Sequence, residues 1–414
     1  MSDIDPSGVV IRRPAPDELR AVLETVEAAS GDEVPDDVWP YLDHTIEPDR
    51  AYGAFDGAMP VGGGAVYSYR LTVPGGATVG AAGVTFVGVQ ATHRRRGILR
   101  RMMAGMLADA RARQEPVAIL WASESSIYGR FGYGLASLNG KIEIERERTQ
   151  MRSTETPVGS LRMIDADEAL RLLPPMYDAV AAGTPGFFSR SRDWWQYNVL
   201  PDLKSLRRGG GRKFYVIHER DGEPVAYALY RVIDDWGELG PLSTLQTQEV
   251  LAIDAAALRE IWRYLFGVDL IHKIRARVGP PDHPLLLMMA EPRRLGLRLA
   301  DGLWLRLLDI EAALGARSYA GDGSLVFDLS DQFLPDLAGT WQLDVAGGRA
   351  TIGRTNAAPE LALDVADLGA VYLGAFSFGQ LERGDRLRAA VPDAVTRADA
   401  MFNTAIQPWC AQVF

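Results

Sequence analysis

The sequence predicts an α+β protein with more than one core. At roughly 100–200 residues per domain, a chain of 414 residues suggests two or three. Two patterns set the class. Residues 85–133 read as apolar strand, basic turn closing on glycine, helix and apolar strand, a βαβ-like unit with room for an anion at its first junction. An opening helix and a strand meander precede that unit, an α+β order unlike the regular strand–helix alternation of a doubly wound fold.

Taken in order, Val9, Val10 and Ile11 look like an opening strand, and Pro14-Ala15-Pro16-Asp17 starts a helix. Leu19, Val22, Leu23 and Val26 keep helical spacing up to Gly31. Residues 51–57 and 65–73 are strand-rich and set apart by glycine turns, which predicts antiparallel pairing. Beyond the βαβ-like unit, residues 141–146 alternate as a strand. The polar stretch 148–158 marks a first boundary, so residues 1–150 form one domain. A second domain, 151–312, holds a strand at 160–164, a helix from Asp165 to Ala181, a hairpin turning at Asp221-Gly222 and a helix over 251–266. The third, 313–414, opens as a meander (324–329, 339–345, 349–353) and continues with helices around 365–373 and 391–406. Its apolar end carries Trp409 and Phe414; leaving such rings in water forgoes about 2–3 kcal/mol each, so the end is expected to dock.

Composition narrows the function. An apolar content of 47% and a charged content of 24% are ordinary for a globular chain. Apolar runs such as 284–290 are far too short to span a membrane. Residues 1–5 are acidic and lack an apolar stretch, so no secretory signal is expected. A single cysteine, Cys410, excludes an intrachain disulfide framework and fits a cytoplasmic setting. The net charge of −10 counts against nucleic acid and suits an amine-bearing partner. His44, His93, His218, His272 and His283 show no ligand spacing, so no metal is inferred.

The turn is basic: Arg94, Arg95 and Arg96 precede Gly97. No Gly-Lys-Ser/Thr end of a P-loop occurs, and the turn lacks the three glycines of a dinucleotide fingerprint. What remains is Arg-x-x-Gly at a helix start, where backbone N–H groups and the positive helix end would face a pyrophosphate. Leu99, Met102, Met103, Met106 and Leu107 follow the spacing of a buried face that would hold this helix rigidly. By itself such a turn is equally a patch of solvated charge. Tyr128 by itself reads first as an aromatic packed among Phe131 and Tyr133, and the acidic stretch 32–37 is a solvated surface or the wall of a cationic pocket. The string Glu291-Pro292-Arg293-Arg294-Leu295-Gly296 imitates the first turn, but Asp301-Gly302 would interrupt a helix soon after it.

In combination the turn resembles motif A of the GCN5-related N-acetyltransferases. A longer match covers nearly the whole chain. Thr92-His93-Arg94-Arg95-Arg96-Gly97-Ile98-Leu99-Arg100, Ala122-Ser123-Glu124, Ile127-Tyr128-Gly129-Arg130-Phe131-Gly132-Tyr133-Gly134 and Asp301-Gly302-Leu303-Trp304-Leu305-Arg306 resemble the enhanced intracellular survival (Eis) acetyltransferases. The resemblance implies an N-terminal acetyltransferase domain, a central degenerate acetyltransferase-like domain without cofactor and a C-terminal sterol-carrier-like domain. It implies acetyl-CoA as donor, amines such as aminoglycosides as acceptors, protein lysines as the alternative, and a hexamer. Its cofactor contacts fall on Val87, Gly88, Val89, Arg94, Arg95, Arg96, Gly97, Ile98, Leu99, Arg100, Ser123 and Glu124. Its general acid falls on Tyr128 and its general base on the terminal carboxylate, here of Phe414. Two departures stand out: Leu99 replaces a small residue, and Val413 stands where the family can carry a carboxylate. A non-catalytic protein holding an apolar ligand in the third domain is the rival reading.

Overall fold

The computed structural model describes residues 8–414. Residues 1–5, on which the reading of no secretory signal rests, lie outside them. The chain forms two compact units that do not follow chain order: one holds the chain up to Ser137, Leu303–Ile406 and Phe414, the other Leu138–Gly302 and Gln407–Val413.

The first unit contains a seven-stranded sheet. Its strands β1 (Val9–Arg12), β2 (Tyr52–Asp56), β3 (Met59–Thr72) and β4 (Thr78–Val89) form the antiparallel meander, and β4 pairs in parallel with β5 (Val117–Trp121). A returning strand, Leu303–Leu307, is inserted between β5 and the short β6 (Gly134–Leu135), antiparallel to both. Helix α1 (Leu19–Ala29) lays Val22 and Val26 against one face of the sheet, near Gly63 and Gly88. Helix α2 (Trp39–Thr45) follows it, and α3 (Ile98–Ala112) covers the opposite face. The glycine run Gly62-Gly63-Gly64 was expected to turn, but β3 continues straight through it. Side chains there would collide with the Gly88 carbonyl and with Val22, so small residues let β3, β4 and α1 approach closely.

The seat of α3 follows from its sequence. Ile98, Met102, Met103, Met106, Leu107 and Ala110 are buried at helical spacing against Val66, Ala82, Val84, Ala118 and Leu120. Beyond its last turn, Glu115 meets the fully buried Arg50 in a bidentate pair, 2.7 Å at Nη1 and 2.6 Å at Nη2. Arg50 also donates to the Ser68 hydroxyl on β3, which ties the arginine end of the pair to the sheet.

The same unit holds a second, five-stranded sheet ordered Arg349–Arg354, Gly339–Ala346, Gly323–Ser330, Leu361–Asp364, Leu387–Ala389. Its first three strands form the expected meander. Helices Val365–Tyr372, Phe378–Arg383 and Ala394–Phe402 accompany it. The last of these is shorter than the expected span 391–406.

The second unit's seven-stranded sheet runs Arg298–Asp301, Leu138–Glu145, Lys273–Ala276, Thr244–Ala252, Glu223–Ile233, Phe214–Arg220, Ser160–Ile164. The helix expected over 251–266 begins only at Ala255, because residues 244–252 belong to a strand and Asp254 caps the helix by accepting from the Ala257 N–H. The C-terminal segment docks here. Trp409 meets Phe187 edge-on with centroids 4.9 Å apart, and Trp194 Nε1 donates to Gln412 Oε1 at 2.9 Å. Each large sheet thus takes one strand from the neighbouring sequence-based domain: Leu303–Leu307 in the first, Leu138–Glu145 in the second. The chain passes between units at 137/138, 302/303, 406/407 and 413/414, whereas the sequence-based domains were divided at 150/151 and 312/313.

Candidate active site

The site begins where two strands part. β4 pairs with β5 only through Ala81↔Val117, Ala82↔Ala118 and Gly83↔Ile119. On its other side β4 stays paired with β3 as far as Val89. At Phe86 the backbone takes φ +49°, and Phe86 with Val87 stand opposite the single residue Gly64 as a bulge. A positive φ at a non-glycine residue costs about 1–3 kcal/mol and marks a segment re-aimed by its surroundings. Among the described residues no strand pairs with 84–89 on the β5 side, and Val87, Gly88 and Val89 are half-exposed.

β4 then feeds the basic turn. Arg94, Arg95, Arg96 and Gly97 are exposed, and Arg95 (φ +65°) and Gly97 (φ +74°) both adopt the left-handed conformation. Nothing lies within 4 Å of where a Gly97 side chain would begin, so glycine is needed for the backbone turn and not for room. Helix α3 starts at Ile98 without a side-chain cap, and its first backbone bond runs from the Arg101 N–H to the Gly97 carbonyl at 3.1 Å. The N–H groups of Ile98, Leu99 and Arg100 thus have no acceptor within the helix. Open space, free N–H groups, the positive helix end and three exposed guanidinium groups fit a pyrophosphate. Arg96 reaches back to the Thr92 carbonyl at 3.4 Å, and the Arg100 guanidinium lies 4.9 Å above the Phe333 ring.

Across the gap, β5 leads to Ser123, Glu124 and the one-turn helix α4 (Ser125–Tyr128). Ser123 and Glu124 are exposed, whereas Tyr128 is buried in the core cluster with Phe131 and Tyr133. Burial holds the Tyr128 hydroxyl above its ordinary pKa, its side-chain hydrogen bond with Ser123 pulls it down, and the Glu124 charge adds to the rise. Tyr128 is therefore a protonated phenol across the neutral range.

Phe414 belongs to the first unit although residues 407–413 do not. Its ring meets Tyr69 edge-on at 5.1 Å and 71°, and one ring carbon lies 3.2 Å from where a Gly83 side chain would begin. The Phe414 ring thus packs at Gly83, the point where β4 leaves β5. Tyr69, Gly83 and the bulge at Phe86 were not singled out from the sequence, since nothing local distinguishes them.

Other candidates are less concentrated. Asp32, Glu33 and Asp37 are exposed, and Asp36 pairs with Arg20 at 2.9 Å while Arg20 lies over the Trp39 ring. Val413 is exposed. The imitation turn at 291–296 forms a short 3₁₀ helix, Pro292–Leu295, and continues into a strand, so it opens no helix. Among the described residues no group of His, Cys, Asp and Glu side chains is placed to hold a metal ion.

Comparison with known proteins shows the family. Residues 10–136 and 186–307 each match an acetyltransferase (GNAT) domain, and residues 310–411 match a sterol carrier protein domain. An uncharacterized N-acetyltransferase of Streptomyces avermitilis is 41% identical over 372 residues, 89% of this chain and 90% of that protein. The N-acetyltransferase Eis of Mycobacterium tuberculosis is 35% identical over 375 residues, 87% of this chain and 88% of that protein. The crystal structure of Eis1 from Mycobacterium abscessus superposes with a TM-score of 0.85 at 32% identity, covering 98% of this chain and all of that one. With two acetyltransferase folds, a sterol-carrier fold and relatives of this extent, the chain belongs to the Eis family of GCN5-related N-acetyltransferases.

Proposed function

We propose that this N-acetyltransferase carries acetyl from acetyl-CoA to amines of polycationic small molecules, aminoglycosides among them. Tyr128 acts as general acid and the Phe414 carboxylate as general base. One observation supports the reading: the Phe414 ring packs at Gly83, where β4 parts from β5 and its open edge leads to the Gly97 turn.

Acetyl-CoA would supply the acetyl group: the amine nitrogen bonds the thioester carbonyl carbon, the C–S bond breaks, and CoA leaves as a thiol. The backbone of Val87, Gly88 and Val89 offers an extended edge to its pantetheine arm. The N–H groups at Gly97, Ile98, Leu99 and Arg100, with the charges of Arg94, Arg95 and Arg96, hold its pyrophosphate. Ser123 and Glu124 line the opposite strand end. Tyr128 holds a proton for the departing sulfur, a transfer between groups of comparable ordinary pKa. The Phe414 carboxylate takes the proton that the incoming ammonium must lose. An ordinary α-carboxyl titrates at about 3.5, so this step calls for a desolvated carboxylate or a relaying water.

The reading further makes the protein a cytoplasmic homo-oligomer, a hexamer by family resemblance; light scattering on the purified chain tests the assembly. No helix among the described residues is long and apolar enough to cross a membrane. The rival reading, an apolar-ligand carrier, has one observation in its favour: a cavity of about 530 Å³ in the first unit, lined in part by Trp304, Phe333 and Phe376. Asp331, Asp364, Asp367, Arg130 and Arg386 share that lining, which makes it a poor container for an apolar molecule. The deciding experiment is thiol release from acetyl-CoA with aminoglycosides, polyamines and a lysine peptide as acceptors. Turnover with polyamines or aminoglycosides is expected. A folded protein that releases no thiol with any amine would overturn the reading.

A further inference from the structure

The second unit repeats the strand geometry of the candidate active site and packs the chain's own tail beside it. Its parallel strands Thr244–Ala252 and Lys273–Ala276 pair only from Thr244↔Lys273 to Thr247↔Ala276. The first of them then runs on to Ala252 past a bulge at Gln248, as β4 runs on past Phe86. Trp409 and Ala411 of the segment 407–413 belong to one buried cluster with Leu251, on the parted stretch, and Val278, just after the second strand. Where the first unit opens a helix with the bare Gly97 turn, the second opens Ala255–Gly267 with the Asp254 carboxylate. That carboxylate accepts from the Ala257 N–H at 2.8 Å and pairs with Arg220 at 2.6 Å. A phosphate there would meet a like charge, so this copy of the fold offers no anion seat.

The tail has no helix or strand of its own, and groups of the second unit hold it. The Trp409 N–H donates to the Pro185 carbonyl at 3.2 Å. A side chain at Gly186 (φ +96°) would begin 2.6 Å from the Trp409 carbonyl, so glycine is needed for the tail to lie this close. The Cys410 thiol donates to the Gln412 carbonyl at 3.2 Å. The Gln412 amide is engaged at both ends: Oε1 accepts from Trp194 Nε1 at 2.9 Å, and Nε2 donates to Asn198 Oδ1. Asn198 sits in a π-helical turn, Trp195–Val199, an uncommon geometry concentrated at functional sites. Only the exposed Val413 separates the clamped Gln412 from Phe414. Consecutive Cα atoms lie about 3.8 Å apart and proton transfer needs a reach of about 2.6–3.2 Å, so a slip of one residue would carry the terminal carboxylate out of range. We propose that the second unit is the receptor for the tail, and that Trp194 and Asn198, acting through Gln412, are positioning residues for the Phe414 carboxylate. The proposal rests on that carboxylate being the general base.

The test compares Gln412→Ala, Trp194→Phe and a chain extended after Phe414, reading kcat across pH, KM for acetyl-CoA and melting temperature. Gln412→Ala removes both amide bonds from a partly exposed position and should melt with the wild type. Its kcat should fall about tenfold near neutral pH with KM for acetyl-CoA unchanged. The loss should shrink as pH rises past the pKa of the acceptor amine, because a neutral amine needs no base. Trp194→Phe keeps a ring and loses the Nε1 donor, and should act in the same direction. Asn198→Asp, which keeps an acceptor for Gln412 Nε2, should recover most of what Asn198→Ala loses. If the extended chain loses turnover but Gln412→Ala keeps kcat within twofold, this proposal fails and the base reading stands. A loss in Gln412→Ala that is equal at every pH, or that comes with weaker acetyl-CoA binding, marks damage other than a misplaced base and also overturns the proposal. Should the extended chain keep full kcat, the base reading falls and takes this one with it.

Discussion

A phenol buried among aromatic rings gives up its proton reluctantly, and Tyr128 is placed so that only Ser123 eases that reluctance. Burial and the Glu124 charge both favour the neutral form, which is the form a general acid needs before the reaction. The sign gives a pH prediction. With its pKa raised above the ordinary value near 10, Tyr128 imposes no alkaline fall in kcat below about pH 10. Tyr128→Phe should lower kcat about 10²–10⁴-fold, the usual contribution of a positioned acid, with little change in acetyl-CoA affinity. A kcat–pH profile that falls near pH 8 in the wild type and is flat in Tyr128→Phe would contradict the assignment. His283 shows the opposite titration, in the second unit. Its imidazole is pushed down to about 4 by burial, with Nδ1 accepting from the Leu285 N–H at 3.2 Å. The unfolded chain protonates near 6.5, so stability is whole above that pH and is lost as pH falls from about 6.5 to about 4, by about 3 kcal/mol. His283→Asn keeps an acceptor for Leu285 and should flatten that dependence in melts between pH 7 and pH 5.

At the scale of elements, the phosphate seat is only as firm as α3. The methionine-rich face of that helix was legible in the sequence because its spacing is local, and so was the Gly97 turn. The Arg50–Glu115 pair that secures the far end was not, since its partners are brought together only by the folded sheet. Arg50→Met should cost about 3–5 kcal/mol, because it leaves Glu115 buried and unpaired. Replacing both by apolar residues, as Arg50→Met with Glu115→Leu, should recover much of that loss, read in denaturant unfolding. A double variant no more stable than Arg50→Met would show that the buried charge is not the cause. The bulge at Phe86 and the straight run of β3 through Gly62, Gly63 and Gly64 were equally hidden. Glycines read locally as turns; here close approach of α1 and β4 sets their conformation.

Across the whole molecule, the terminus is the test of the design. If the Phe414 carboxylate is the base, residues added after it convert it to an amide. Turnover should then fall to background while acetyl-CoA binding, followed by calorimetry, remains; full activity in a C-terminally extended chain would remove Phe414 from the mechanism. The sequence by itself determined the α+β class, the helix-start turn at Gly97 and the family, because periodicity, a left-handed glycine and long strings of matching residues are all written locally. It did not show that each large sheet borrows a strand from the neighbouring sequence-based domain, because apolar alternation specifies a strand but not the edge it pairs with. Nor did it bring Phe414 to Gly83, or Gln412 to Trp194. Those meetings join residues distant in sequence, and only the packing of the complete chain decides them.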